Sequence, residues 1–166
     1  MWRLVIAIFF KDYRAKRMDG FEVDFWRSKP LDELSLEEWE ALCDGCGKCC
    51  LIKLEDDHSG EIYSTDISCK FLDLTTCRCA SYKKRTQVVE DCRKLTPFNI
   101  DDLDWLPESC SYRTVARGED LPYWHHLISG SRSDIHRLGY SIRSWAVSES
   151  DGYGGNALDR IIQWVD

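Results

Sequence analysis

Four cysteines fall within eight residues, in the run Cys43-Asp44-Gly45-Cys46-Gly47-Lys48-Cys49-Cys50. Four more follow at Cys69, Cys77, Cys79 and Cys92, so eight of the nine cysteines lie in one stretch of 50 residues and Cys110 stands apart. Thiols crowded this closely are held either as disulfides or as metal-bound thiolates. The odd count argues against a closed disulfide framework. The N-terminus points the same way. The apolar run from Met1 to Phe10 is too short to cross a bilayer, which takes roughly 20 residues. Phe9-Phe10-Lys11-Asp12 is no small-residue cleavage site. The expectation is therefore a cytoplasmic chain with reduced thiols, and clustered reduced thiols point to metal or redox chemistry.

Cys-x-x-Cys lets two thiolates reach one ion across a tight turn while backbone N–H groups bond the sulfurs. The step occurs twice in succession, Cys43 to Cys46 to Cys49, like the opening of a ferredoxin run whose last ligand is remote. Cys50 is different. Side chains of neighbouring residues point apart in extended backbone, so Cys49 and Cys50 are not expected to share one tetrahedral ion. Either the two serve two metals or one of them is structural. The separated pair of knuckles that marks a zinc ribbon is missing. Thiolate-rich sites suit zinc, mononuclear iron and iron–sulfur clusters alike, so the residues leave the metal open.

The elements around the cysteines must bring distant sulfurs together. Ser35-Leu36-Glu37-Glu38 is a capping box, opening a helix through Trp39 and Leu42 toward Cys43, which Gly45 and Gly47 then end. Leu51–Glu55, a turn at Asp57-His58-Ser59-Gly60 and Glu61–Ile67 read as a β-hairpin. An antiparallel hairpin returns its ends to one place, which sets Cys69 beside the Cys49-Cys50 pair. Tyr82–Leu95 reads as a helix with Val88, Val89, Cys92 and Leu95 on one face, stopped by Pro97. Short helices are expected near Asp101–Trp105, Pro107–Arg117, Pro122–Leu127 and Ser133–Leu138, with Pro107 and Pro122 in first turns. Cys43, Cys46, Cys49, Cys50, Cys69, Cys79 and Cys92 are thus expected to converge, with Cys77 ranked below Cys79 as a spare.

Composition bounds the partners. A chain of 166 residues with seven Trp, seven Tyr and six Phe suggests one domain with a real core, and the tryptophans are most economically core. A net charge of −7 argues against a nucleic-acid partner, and no segment suits a membrane span. Residues 43–94 hold nine Lys/Arg and nine Asp/Glu, so the acidic excess lies elsewhere. Lys48, Lys53, Lys70, Arg78, Arg85, Arg93 and Lys94 are placed to offset thiolate charge, although a solvated surface accounts for most of them. Three segments are expected: an N-terminal extension over 1–17, with Met18 a plausible start; a cysteine-cluster domain over 18–146; and a flexible Gly-rich segment with a short helix over 147–166.

The run Leu42–Cys50 resembles the bacterial YcgN-like proteins of the CxxCxxCC zinc- or iron-chelating group. Further matching runs are Cys69-Lys70-Phe71-Leu72-Asp73, Cys79-x-x-Tyr82-x-x-Arg85, Cys92-Arg93 with Pro97, and Trp105-Leu106-Pro107-Glu108-Ser109-Cys110-Ser111-Tyr112-Arg113. Asp120-Leu121-Pro122-Tyr123-Trp124-His125, with Ser129-Gly130 after it, matches as well. The resemblance spans about Phe25 to Arg143. It implies a small cytoplasmic metal-chelating protein, brings Cys110 into the candidate centre, and supplies no reaction. A related cluster occurs in a flagellin lysine methylase, which keeps an enzyme reading open.

The bland alternatives are a surface or packed role for His125 and His126, an exposed turn for His58, and packing or snorkelling for Tyr82 and Arg85 in place of donation to sulfur. No Ser/His/Asp set, phosphate loop or H-E-x-x-H motif is present. The expected architecture is a small α+β single domain of short helices and a β-hairpin around a cysteine metal centre. The ligands are drawn from Cys43, Cys46, Cys49, Cys50, Cys69, Cys77, Cys79, Cys92 and Cys110. The leading function is binding of zinc, iron or an iron–sulfur cluster. An iron–sulfur redox or methyl-transfer accessory enzyme and a metal-delivery or partner-binding module are the alternatives.

Overall fold

The computed structural model describes residues 24–152 and 154–163. The N-terminal extension expected over 1–17 lies outside the described residues. The helices are Phe25–Ser28 (α1), Leu36–Ala41 (α2), Arg85–Val88 (α3), Ser111–Ala116 (α4), His126–Ser129 (α5) and Asp134–Arg137 (α6). The strands are Leu51–Glu55 (β1), Ile62–Ser68 (β2), Leu72–Asp73 (β3), Arg78–Cys79 (β4) and Val147–Ser148 (β5). The fold is the expected α+β arrangement of short pieces.

The capping box forms as expected. Ser35 Oγ accepts from the Glu38 N–H at 3.1 Å and Glu38 Oε2 accepts from the Ser35 N–H at 2.9 Å. Glu38 also takes Lys29 Nζ at 2.5 Å, tying α2 to the chain before it. Six residues of helix are marginal alone, so the cap matters. Ser35→Ala is expected to cost about 1 kcal/mol, read from the midpoint of urea unfolding. Beyond the cap, the buried face of α2 is Trp39, Ala41 and then Leu42, packed with Phe25, Ile100, Leu106, Tyr112 and Leu121. The Trp39 and Tyr112 rings meet at 4.6 Å between centroids, and the indole N–H donates to the Leu95 carbonyl at 3.0 Å.

β1 and β2 pair antiparallel, with Leu51 opposite Ser68. Asp56 closes the turn by accepting from the N–H groups of His58 and Ser59 at 2.9 and 2.8 Å, which leaves His58 exposed as expected. β5 adds to β2 in parallel, and Ile161 bridges Thr65. The last described residues are therefore docked on β2, where Arg160 makes two 2.7 Å bonds to Asp66. β3 and β4 form a separate two-stranded sheet with Leu72 opposite Cys79. A second apolar cluster, Leu51, Leu72, Cys77 and Ile142, lies at these strands.

Several expectations fail for local reasons. The helix expected over Tyr82–Leu95 is a 3₁₀ turn at Tyr82–Lys84 and one α turn, ending where Val89 turns extended. Val88 is exposed and Val89 only half-buried, so little apolar surface next to this turn is buried to extend it, although Leu95 further on packs on the core. Pro107 and Pro122 precede their helices as turn residues, with the Cys110 and His125 N–H groups donating to their carbonyls at 3.0 and 2.8 Å. Trp26, Trp39 and Trp124 are buried, but Trp145 is exposed, so the tryptophans divide between core and surface.

Candidate metal centre

The cysteine loop begins where α2 stops. Gly45 and Gly47 sit at φ of 81° and 79°, the left-handed region that spares glycine a steric penalty. A Cβ on Gly47 would stand 2.9 Å from Ile142 Cγ1, so this turn also needs the missing side chain for close approach. Gly47→Ala is accordingly expected to cost about 2–4 kcal/mol, from left-handed strain plus overpacking, measured by denaturant unfolding.

Asp44, buried inside the first Cys-x-x-Cys step, holds the turn. Its Oδ1 accepts from the Cys46 N–H at 2.8 Å and its Oδ2 from the Ser111 hydroxyl at 3.3 Å. On the other side Lys48 Nζ donates to Ser109 Oγ at 3.1 Å. Cys110 lies between Ser109 and Ser111. Two side-chain bonds therefore clamp this remote cysteine to the loop of Cys43, Cys46 and Cys49. The hairpin does the same for Cys69, whose N–H donates to the Cys50 carbonyl at 2.9 Å. Cys79 follows through β4, since its partner Leu72 bonds back to the Cys69 carbonyl.

Electrostatic influence links several of the cysteines. Cys49 acts on Cys43, Cys46 and Cys110, and Cys110 acts on Cys46. Cys69 and Cys79 act on Cys50 and on Cys92. Cys49 and Cys50 touch, with sulfurs 3.9 Å apart. Among the described residues, no three Cys, His, Asp or Glu side chains as they stand form a group that could hold an ion. A metal bound to such buried thiols would have to displace their protons.

Burial drives the protonation. It pushes the Cys43 and Cys110 thiols up to about 12, with the Asp44 and Cys49 charges adding to it, and it raises Cys46 as well. Opposing this, the N–H of Gly45 faces the Cys43 sulfur and that of Lys48 faces Cys46. Phe71 does so for Cys69, and Arg113 and Tyr112 for Cys110. Backbone N–H groups two residues beyond a sulfur stabilise its thiolate and orient it as a metal ligand. That donor pattern is the feature by which these residues fit a thiophilic metal.

Two of the seven cations are not on a solvated surface. Lys48 is buried. Lys53 is half-buried, with Nζ donating to the carbonyls of Lys48, Cys49 and Leu51 at 3.3, 3.4 and 2.8 Å and lying 5.0 Å from the Trp105 ring centre. The hydrogen bond from Cys50 and then the Lys53 ammonium favour the Cys49 thiolate, and the same contact holds Cys50 up. Lys70, Arg78, Arg93 and Lys94 are exposed, as a solvated surface requires. Asp44 escaped sequence reading because a lone carboxylate carries no periodic signal.

Cys77 sits apart, buried with Leu51, Leu72 and Ile142 at a positive φ of 51°. Its thiol points to the Leu74 carbonyl at 4.0 Å. Tyr82 donates its hydroxyl to Glu40, and the Arg85 guanidinium stacks on the Tyr82 ring at 3.9 Å. Arg85 also favours the Cys92 thiolate, whose pKa burial raises. His125 is fully buried and uses both nitrogens, Nδ1 accepting from the Leu127 N–H at 3.1 Å and Nε2 bonding the Leu42 carbonyl at 3.0 Å. This is the packed role.

The class this site defines is a compact cysteine-cluster domain. Residues 42–111 match the CxxCxxCC family, described as a "putative zinc- or iron-chelating domain". That interval runs from the end of α2 to the residue after Cys110. A UPF0260 protein of Parvibaculum lavamentivorans is 46% identical over 147 residues, covering 89% of this chain and 96% of the relative. UPF0260 proteins of Pseudomonas entomophila and Mesorhizobium japonicum are 50% and 51% identical, covering 81% and 78% of this chain and 90% and 88% of theirs. The chain belongs to the UPF0260 family. No solved structure matches it. Among the described residues no helix is long and apolar enough to cross a membrane.

Proposed function

We propose that this protein binds a thiophilic metal in the bacterial cytoplasm, through Cys43, Cys46, Cys49, Cys50, Cys69, Cys79, Cys92 and Cys110, and that Cys77 is a packing residue. The clamp on Cys110 carries the reading. Lys48 and Asp44 reach across 61 and 67 residues of sequence to hold Ser109 and Ser111 on either side of one cysteine. A free thiol needs no such fixing.

Zinc, iron or an iron–sulfur cluster would supply cross-linking, and iron would add electron transfer. The chain's own residues bind and orient. The N–H groups of Gly45, Lys48 and Phe71 aim at sulfur. Lys53 brings a positive charge beside Cys46, Cys49 and Cys50. Metal ions are the partners in this reading, and the net charge of −7 opposes nucleic acid.

Anaerobic purification followed by metal analysis and a visible spectrum tests it. Bound zinc, or iron with sulfur-to-metal charge-transfer bands, is the expected result. A folded, metal-free protein with every thiol open to alkylation sinks the proposal.

A further inference from the structure

Among the described residues, Cys49 and Cys50 make the one contact between cysteine sulfurs, at 3.9 Å. Cys49 is also the one exposed cysteine of the nine, while Cys50 is half-buried. The backbone around the pair is held on both sides. The Cys50 N–H donates to the Gly47 carbonyl at 3.0 Å, and the Cys50 carbonyl accepts from the Cys69 N–H at 2.9 Å. Lys53 Nζ donates to the Cys49 carbonyl at 3.4 Å. The sulfurs therefore approach or part by rotation of their own side chains. Cys77 shares the small apolar cluster with Cys50, but its thiol points to the Leu74 carbonyl.

An exposed cysteine with a second thiol in contact is the arrangement of an oxidant-sensitive pair, in which one sulfur is attacked and its neighbour resolves it. A peroxide is the oxidant this chemistry takes. The Cys49 sulfur bonds to one peroxide oxygen and the O–O bond breaks. Cys49 becomes a sulfenic acid, and the other oxygen leaves with the Cys49 proton as water or an alcohol. The Cys50 sulfur then attacks the Cys49 sulfur. The S–S bond forms, the S–OH bond breaks, and the hydroxyl leaves with the Cys50 proton as water. Two electrons have passed from the two thiols to the O–O bond. The Cys49–Cys50 peptide is trans. Adjacent Cα atoms then stand about 3.8 Å apart, closer than the roughly 4.4–6.8 Å of ordinary disulfides. Such a bond is strained, and strain makes a disulfide easy to reduce.

We propose that Cys49 and Cys50 form a reversible peroxide-sensitive switch, with Cys49 the attacked sulfur, Cys50 the resolving one and a Cys49–Cys50 disulfide the product. Its consequence rests on the metal-binding reading above. The thiolate is the metal-binding form of cysteine, and a disulfide leaves neither sulfur as one. Oxidation of this pair therefore withdraws two candidate ligands at once, and reduction by a dithiol returns them.

Mass spectrometry of the full, unmodified chain tests the pairing. Any metal is removed under reducing conditions, one equivalent of hydrogen peroxide is added, and the remaining thiols are alkylated before digestion with trypsin. Cleavage after Lys48 and Lys53 releases Cys49-Cys50-Leu51-Ile52-Lys53, which holds these two cysteines and no other. The expected product is that peptide unalkylated and lighter by two hydrogen atoms, returning to the doubly alkylated form when dithiothreitol precedes alkylation. Cross-linking of either residue to another peptide overturns the proposal. So does a peptide still doubly alkylated after peroxide, or a sulfinic acid at Cys49 beside an alkylated Cys50. Zinc titration of the reduced and oxidised chains tests the consequence. Loss of a ligand's hydrogen-bond partner already costs roughly 10–100-fold in metal affinity, so loss of two ligands should weaken zinc binding by at least about 100-fold. Equal affinities overturn the switch. A reduced chain that holds no zinc overturns the metal-binding reading instead, and the peptide then decides the pairing alone.

Discussion

Chelating the metal, or replacing Cys46 with serine, is expected to lower the melting temperature by about 10–20 °C. The reason lies in the elements themselves. No described helix exceeds six residues, and two of the five strands have five or more. Pieces this short do not persist alone and depend on tertiary contacts. The cysteine loop, the hairpin, the β3–β4 sheet and the segment before α4 all end at candidate ligands. Binding energy at such a site is folding energy, and a structural zinc contributes on the order of 10 kcal/mol. Losing roughly 5 kcal/mol of it, at about 2–4 °C per kcal/mol for a chain of this size, gives the stated drop. Calorimetry on a sample shown by metal analysis to be empty is the measurement. An unchanged melting curve for that sample would make the centre an accessory to a fold that stands without it.

Acidification should weaken the protein through the histidine pair. His125 and His126 stack at 4.6 Å between ring centroids, both buried. Burial holds the His125 imidazole below its ordinary 6.5, against a hydrogen bond to the Leu42 carbonyl that favours the charged form. Burial, and then the Arg132 guanidinium, lower His126 to about 4. Below pH 6.5 the unfolded chain takes up protons that the folded chain refuses. Stability is therefore full above about 6.5, declines as the pH falls toward 4 and levels off beneath. For His126 the loss is on the order of 3 kcal/mol.

The His125 geometry also names the neutral tautomer. Nδ1 accepts from the Leu127 N–H, so Nε2 carries the proton and donates to Leu42. Thiolates bound to metal take up protons over part of the same interval, so a melt alone mixes the two effects. Ring nitrogen and carbon chemical shifts separate them. Both rings should remain neutral at pH 5.5, with His125 protonated on Nε2. A charged ring for either residue at that pH in the folded protein would remove the basis of the prediction.

The spacing of residues determined much of this protein. Ser35 and Glu38 determined the cap, because both partners of a capping box lie within one turn. The alternation on either side of Asp57–Gly60 determined the hairpin, and the hairpin alone brought Cys69 back to Cys50, because antiparallel pairing leaves its ends nowhere else to go. The cysteine steps marked the site for the same local reason. Tertiary structure decided the rest. Tyr82–Leu95 carried a helical pattern, yet Val88 stays exposed and the helix stopped after Val88. Cys77 and Cys79 look equivalent along the chain. The left-handed turn at Cys77 puts it into the cluster of Leu51, Leu72 and Ile142, while Cys79 enters the ladder opposite Leu72. Asp44, Lys48 and Lys53 are ordinary charged residues in sequence. Each becomes part of the site because its partner is supplied by the folded chain: the serines beside Cys110 for the first two, three inward-facing carbonyls for the third. Spacing reaches only as far as one turn or one hairpin, and contacts across 60 residues form only when the chain has closed on itself.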